Sequence, residues 1–204
     1  VAPMQAWGGE NEHSTNEESK NSTNNHCKYQ IIDIPQMVRD LRSTDVDIQI
    51  ANIKGFRRLL SAEKNPPVQE CIDNNALPIF VEYLNRTDIK ELQFEAAWAL
   101  TNIASTDRTN EVVNCKNAVS SLVKCLLSEH PEVRDQVAWC LGNIAGDSPK
   151  LRDEVLAVPG AMEGLLQNIA NPENLLLMRN CTWTLSNFCR GKPQPPMNII
   201  QPCL

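Results

Sequence analysis

Three tryptophan–asparagine pairs recur along this 204-residue sequence. Trp98 precedes Asn102 by four residues, Trp139 precedes Asn143, and Trp183 precedes Asn187. An indole offers a π face that attracts a cation and an apolar body that packs along an alkyl stem. A carboxamide both donates and accepts, so it can hold the N–H or C=O of an extended backbone. Together the two groups suit a ligand that carries Lys or Arg side chains on an extended chain. Glu95, Asp135 and Asp147 lie near the pairs. Asp147, placed after a Gly146 read as a helix C-cap, is suited to a charge-assisted bond from an ammonium group. Nothing comparable points to catalysis. His13, His26 and His130 lie outside the repeated segments, and there is no nucleophile elbow, phosphate loop or metal-ligand spacing. The expectation is binding without an enzymatic step, a metal or a cofactor.

Positioning such groups needs a periodic scaffold. The tryptophans are 41 and 44 residues apart. Residues four apart share one face of a helix, so each pair occupies one face and stacked repeats would align the pairs. A second set of helices overlays in the same way. Leu77, Val119 and Met162 correspond, as do Phe80, Leu122 and Leu165, then Val81, Val123 and Leu166, then Leu84, Leu126 and Ile169. That stripe is the core-facing side of an amphipathic helix. Pro131 and Pro172 open the third helices, and Pro149 and Pro193 follow them. Three helices in a repeat of about 42 residues predict an all-α, right-handed superhelical solenoid of the armadillo kind, about three and a half repeats long.

The predicted helices cover roughly 45–62, 66–74, 76–85, 88–105, 107–117, 118–128, 131–146, 149–158, 160–170 and 173–190, after a short amphipathic helix at 31–43. In the first long helix Lys54 and Arg58 stand where later repeats have Trp and Asn, which makes that repeat a cap. Residues 1–30 are polar and read as disordered, 31–196 as the repeats, and 197–204 as an irregular tail. No further helix is expected over the last stacking face, and the bare end should favour self-association.

Composition narrows the partners. The net charge of −6 argues against duplex nucleic acid or an anionic membrane and is compatible with a basic ligand. No apolar run approaches the length of about 18 residues needed for a membrane helix. The eight cysteines form no CxxC and read as small buried hydrophobes in a reducing compartment.

The segments Phe94 to Ser105, Gln136 to Asp147 and Trp183 to Arg190, with Phe56 to Ser61 ahead of Pro66 and Pro67, closely resemble the importin alpha (karyopherin alpha) family. The likeness runs from about residue 45 to 196. It implies a nuclear import adaptor, found in cytoplasm and nucleus, that binds nuclear localisation signals of cargo in a concave groove. Carried over by motif, the peptide site comprises Trp98, Asn102, Trp139, Asn143, Asp147, Trp183 and Asn187, with Ser105 and Arg190 at its edge. Asp147 would pair with the key lysine, and the site's threonine is most nearly Thr109. The family begins with a basic importin-beta-binding segment, whereas residues 1–44 hold no Lys/Arg cluster, so importin beta is not expected by the usual route. The family also has more repeats, which suggests a truncated or divergent member. The alternative reading is a non-transporting scaffold or dominant-negative fragment acting through protein contacts.

Overall fold

The structure is a computed structural model that describes residues 29–203. Of the polar stretch read at 1–30, all but Tyr29 and Gln30 lies outside those residues. All regular structure among them is helical. A 3-10 turn (Ile31–Asp33) leads into α1 (Ile34–Asp40) and α2 (Val46–Leu60). Three triplets follow: α3 (Val68–Asp73), α4 (Leu77–Leu84) and α5 (Lys90–Ala104); α6 (Thr109–Asn114), α7 (Ala118–Cys125) and α8 (Pro131–Asp147); α9 (Pro149–Leu156), α10 (Ala161–Ala170) and α11 (Leu175–Phe188). The long helices α2, α5, α8 and α11 pack in succession, and α4, α7 and α10 form a parallel row behind them.

Local chemistry sets the ends. The Asp45 carboxylate accepts from Asp47 N–H to start α2, and the Asn174 side chain accepts from Leu177 N–H to start α11. Pro131 and Pro149 occupy first helical turns, where the missing N–H costs nothing. Each turn into a middle helix contains a left-handed residue at the same place in the repeat: Asn75 at φ 57°, Asn117 at φ 64° and Gly160 at φ 91°. Asn and Gly are the residues that adopt this conformation at least cost.

The core follows the repeated stripe. Phe80, Leu122 and Leu165 are fully buried, and Leu77, Val119 and Met162 nearly so. In the last repeat the stripe loosens, with Leu166 and Ile169 only half-buried. Cys71, Cys125, Cys140 and Cys181 lie inside this core. Burial pushes the Cys71, Cys140 and Cys181 thiols up to about 12 and the Cys125 thiol to about 11, so these four stay protonated, inert core residues.

Two expectations are corrected. Gly146 is not a left-handed C-cap: α8 runs through it to Asp147. The helix ends one residue later, because Pro149 forces Ser148 into an extended conformation (φ −155°, ψ 157°). The tail is not irregular. Residues Met197–Ile200 form α12 and Gln201–Cys203 a 3-10 turn, and Ile199, Ile200 and Cys203 pack against the core. The Cys203 sulfur lies 3.2 Å from the Met162 sulfur on α10. Pro196 starts the short helix, and its apolar residues find the partly open side of the last repeat.

Arg152, fully buried, ties the turn before this tail. Its guanidinium donates to the carbonyls of Arg190 at 2.6 Å and Pro193 at 2.8 Å and pairs with Asp153 at 2.7 Å.

The closest approach in the stack is between α8 and α11, and two glycines allow it. A Cβ on Gly142 would stand 2.3 Å from Trp183 Cζ3 and 2.4 Å from Thr184 Oγ1. A Cβ on Gly146 would stand 3.0 Å from Asn187 Nδ2. Gly142→Ala is therefore expected to cost about 1–3 kcal/mol through overpacking, and Gly146→Ala distinctly less. Urea unfolding of both variants checks the order, and equal midpoints would contradict it.

Candidate peptide-binding groove

All six ladder residues lie on the third helices: Trp98 and Asn102 on α5, Trp139 and Asn143 on α8, Trp183 and Asn187 on α11. The three indoles are half-buried. Trp98 meets Phe94 edge to face, with ring centroids 5.6 Å apart, and Trp183 lies against the backbone of α8 at Gly142. Among the described residues no indole stacks on another.

The asparagines have a structural duty that spacing alone did not reveal. Asn102 Nδ2 donates to the Arg57 carbonyl at 3.3 Å and to Ser61 Oγ at 3.0 Å. Asn143 Nδ2 reaches the Thr101 carbonyl at 3.5 Å, the outer limit of such a bond. Asn187 Nδ2 donates to the Gly142 carbonyl at 2.9 Å. Arg57, Thr101 and Gly142 are equivalent positions of successive repeats, so each rung is stapled to the helix before it. Each amide oxygen is left over as an acceptor. Asn102 and Asn143 remain half-exposed, whereas Asn187 is buried.

The three acids separate by environment. Glu95 is taken by Arg57, whose Nε lies 2.8 Å from Glu95 Oε2. Asp135 Oδ1 accepts from Asn180 Nδ2 at 2.7 Å. Both carboxylates near the pairs are thus engaged within the protein. Asp147 is exposed at the end of α8 and has no side-chain partner among the described residues.

The edge residues are less committed. Ser105, exposed, caps α5 and donates to the Asn102 carbonyl at 2.7 Å. The Arg190 side chain is exposed, while its carbonyl is held by Arg152. Thr109 is buried, and its hydroxyl is spent on the carbonyls of Ala104 and Thr106.

One further group belongs here. Gln136, one turn ahead of Trp139, is buried, and its Nε2 has no hydrogen-bond partner. A buried donor without an acceptor costs free energy. Its place three residues before the tryptophan was the available sequence signal. Among the described residues no group of His, Cys, Asp or Glu is arranged to hold a metal ion, and no helix is long and apolar enough to cross a membrane.

A model of the armadillo/beta-catenin-like repeat matches residues 64–105, and one of the HEAT-like repeat matches residues 90–144. Importin subunit alpha-2 of Arabidopsis thaliana is 50% identical over 172 residues, covering 84% of this chain and 32% of that protein. Importin subunit alpha-1b of Oryza sativa subsp. japonica is 50% identical over 173 residues, with the same coverage of 84% and 32%. The chain is similar to importin alpha subunits over most of its length. It spans about a third of the length of these relatives. Among solved structures, an engineered protein is 26% identical with a TM-score of 0.72, covering 83% of this chain and 66% of that one. A designed armadillo repeat protein, solved with the peptide (KR)4, is 22% identical with a TM-score of 0.72, covering 82% of this chain and 67% of that one. That likeness establishes the armadillo fold.

Burial raises the Asp135 carboxyl above its ordinary pKa of 3.8, and the Asn180 bond only partly offsets this. The folded state then binds the proton more tightly than the unfolded chain. Its contribution to stability is present below the unfolded pKa and lost as pH rises through the folded value. Asp135→Asn keeps an acceptor for Asn180 and removes the loss. Its urea midpoint should exceed that of the wild type near pH 7 and converge on it toward about pH 3. A constant gap across that range would contradict the assignment.

Proposed function

We propose that this chain binds Lys/Arg-rich nuclear localisation signals as an import-adaptor-like armadillo module, working in cytoplasm and nucleus. The observation that carries the reading is Asp147. Of Glu95, Asp135 and Asp147 it is the one left exposed and, among the described residues, unpaired; it lies one turn beyond Asn143 and on the same helix as Trp139. A lysine whose stem lies along the indole of Trp139 can bring its ammonium to that carboxylate. The amide oxygens left on Asn102 and Asn143 can accept peptide N–H groups, and the orphaned Gln136 amide can donate to a peptide carbonyl. Similarity to importin alpha subunits supports the same ligand class.

A second reading, a non-transporting scaffold, draws on the apolar side chains left open around α11 and α12. Leu175, Leu176 and Met197 are 59%, 53% and 65% exposed. Light scattering that rises with concentration and is indifferent to Trp139→Ala would favour self-association over peptide capture.

Titration of a labelled Pro-Lys-Lys-Lys-Arg-Lys-Val peptide by fluorescence anisotropy tests the primary reading. Replacing the second lysine of the peptide by alanine should abolish most of the affinity. Trp139→Ala should weaken binding about 30-fold, as befits a buried aromatic anchor. Asp147→Asn should weaken it about tenfold. Glu129→Ala, a change at an exposed acid between α7 and α8, should leave it unchanged. Equal affinity for the two peptides would sink the proposal.

A further inference from the structure

The ladder has a face that is already occupied. The guanidinium carbon of Arg57 sits 4.5 Å from the centroid of the Trp98 ring. Its Nε donates to Glu95 Oε2 at 2.8 Å, with Nη2 at 3.5 Å from Oε1. The Arg57 side chain is only 20% exposed and that of Glu95 only 6%. An arginine whose stem is covered, whose fork is held by a carboxylate and whose cation faces an indole has the arrangement a bound ligand arginine would have.

Position 57 is equivalent to Thr101 and Gly142 in the next two repeats. There the residue is small: Gly142 lets Trp183 lie against the backbone of α8, whereas Arg57 stands between α2 and Trp98. Arg57 is not required as the staple of this rung, since its carbonyl, not its side chain, accepts from Asn102. The side chain therefore serves Trp98 and Glu95 alone among the described residues.

We infer that Arg57 is a built-in occupant that closes the α2 side of Trp98 and so fixes where a basic peptide stops. The ladder then offers two open slots, between Trp98 and Trp139 and between Trp139 and Trp183. A third slot, with Glu95 as its ready-made acceptor, exists but is filled by the chain itself. Removing the guanidinium should convert it into a receptor for a free guanidinium or for one more basic side chain of a peptide. The consequence for peptide register rests on the groove reading above; the occupancy of the slot does not.

The test is Arg57→Ala, titrated with ethylguanidinium, which carries the head group the substitution deletes. The readout is the indole Nε1–H resonance of Trp98, assigned by its loss in Trp98→Phe. In Arg57→Ala the resonance should shift and saturate, with affinity falling at least tenfold when Glu95→Gln is added. In the wild type any shift, through the slot on the Trp139 side, should be smaller and unchanged by Glu95→Gln. No saturable shift in Arg57→Ala, or an equal shift in the wild type, would overturn the inference. Should Arg57→Ala lose its cooperative melt, Arg57→Thr, which places here the residue type of the equivalent position 101, also vacates the slot, and the same titration is read on it.

Register is read separately. Lengthening a basic peptide by one arginine at the end nearest Trp98 should raise affinity about tenfold in Arg57→Ala, a gain in the range of a partly desolvated cation–π contact, and leave the wild type unchanged. If the wild type binds no basic peptide, the groove reading fails, and the ethylguanidinium titration alone still decides the role of Arg57.

Discussion

Each rung asparagine gives an amide proton to a main-chain carbonyl of the long helix before it. That bond sets how closely consecutive repeats approach. Helical carbonyls already accept from their own helix, so the asparagine uses a second lone pair and asks nothing of the local hydrogen bonding. The tryptophan four residues earlier is carried along by the same helix face. Stapling of the repeats and placement of the indoles are therefore one geometric event. A bulky apolar residue at the asparagine position would fill space but could not fix the spacing through a directional bond.

The stack tightens toward α11. The Asn143 bond to Thr101 is long, at 3.5 Å, and the Asn187 bond to Gly142 is short, at 2.9 Å. The residue receiving the neighbour explains the difference. Thr101 carries a side chain that bonds to Ala97 O at 2.8 Å and occupies the interface, whereas Gly142 has none and lets α11 come down onto α8. Thr184 then reaches the Ala138 carbonyl at 2.7 Å. The ladder is thus built from rungs of unequal depth, with Asn187 buried and Asn102 and Asn143 half-exposed.

The architecture was legible in the sequence because a period reports which face of a helix a residue occupies. Every predicted helix between 45 and 190 is present, and the overlaid stripe from Leu77 to Ile169 is the core. What a residue touches across a repeat boundary is a different question. Glu95 and Asp135 sit at positions suited to a basic ligand, yet Arg57 and Asn180 reach them from neighbouring repeats. Lys54 and Arg58 align with Trp98 and Asn102, yet it is Arg57, beside them, that covers the ring. Position 57 aligns with a threonine and a glycine, and the contrast in size was the available clue. Gly146 looked like a helix terminator because glycine often is one. Its actual reason is the approach of Asn187, which no local pattern encodes.

The same cross-boundary logic governs the far end of the described chain. In a stack of repeats each stripe is completed by the next helix set, and the stripe of α10 is the one left half-covered, at Leu166 and Ile169. The segment after α11 turns back onto this region, although it shares nothing with the repeat pattern. Arg152 supplies the directional part of that docking through the Arg190 and Pro193 carbonyls. Ile199, Ile200 and Cys203 supply the apolar part. A fully buried guanidinium is costly unless its donors are matched, and here two carbonyls and the Asp153 carboxylate match them. The residues from 190 to 203 therefore act as part of the last repeat, and the apolar surface that remains is confined to Leu175, Leu176 and Met197 rather than spread over the whole stacking face.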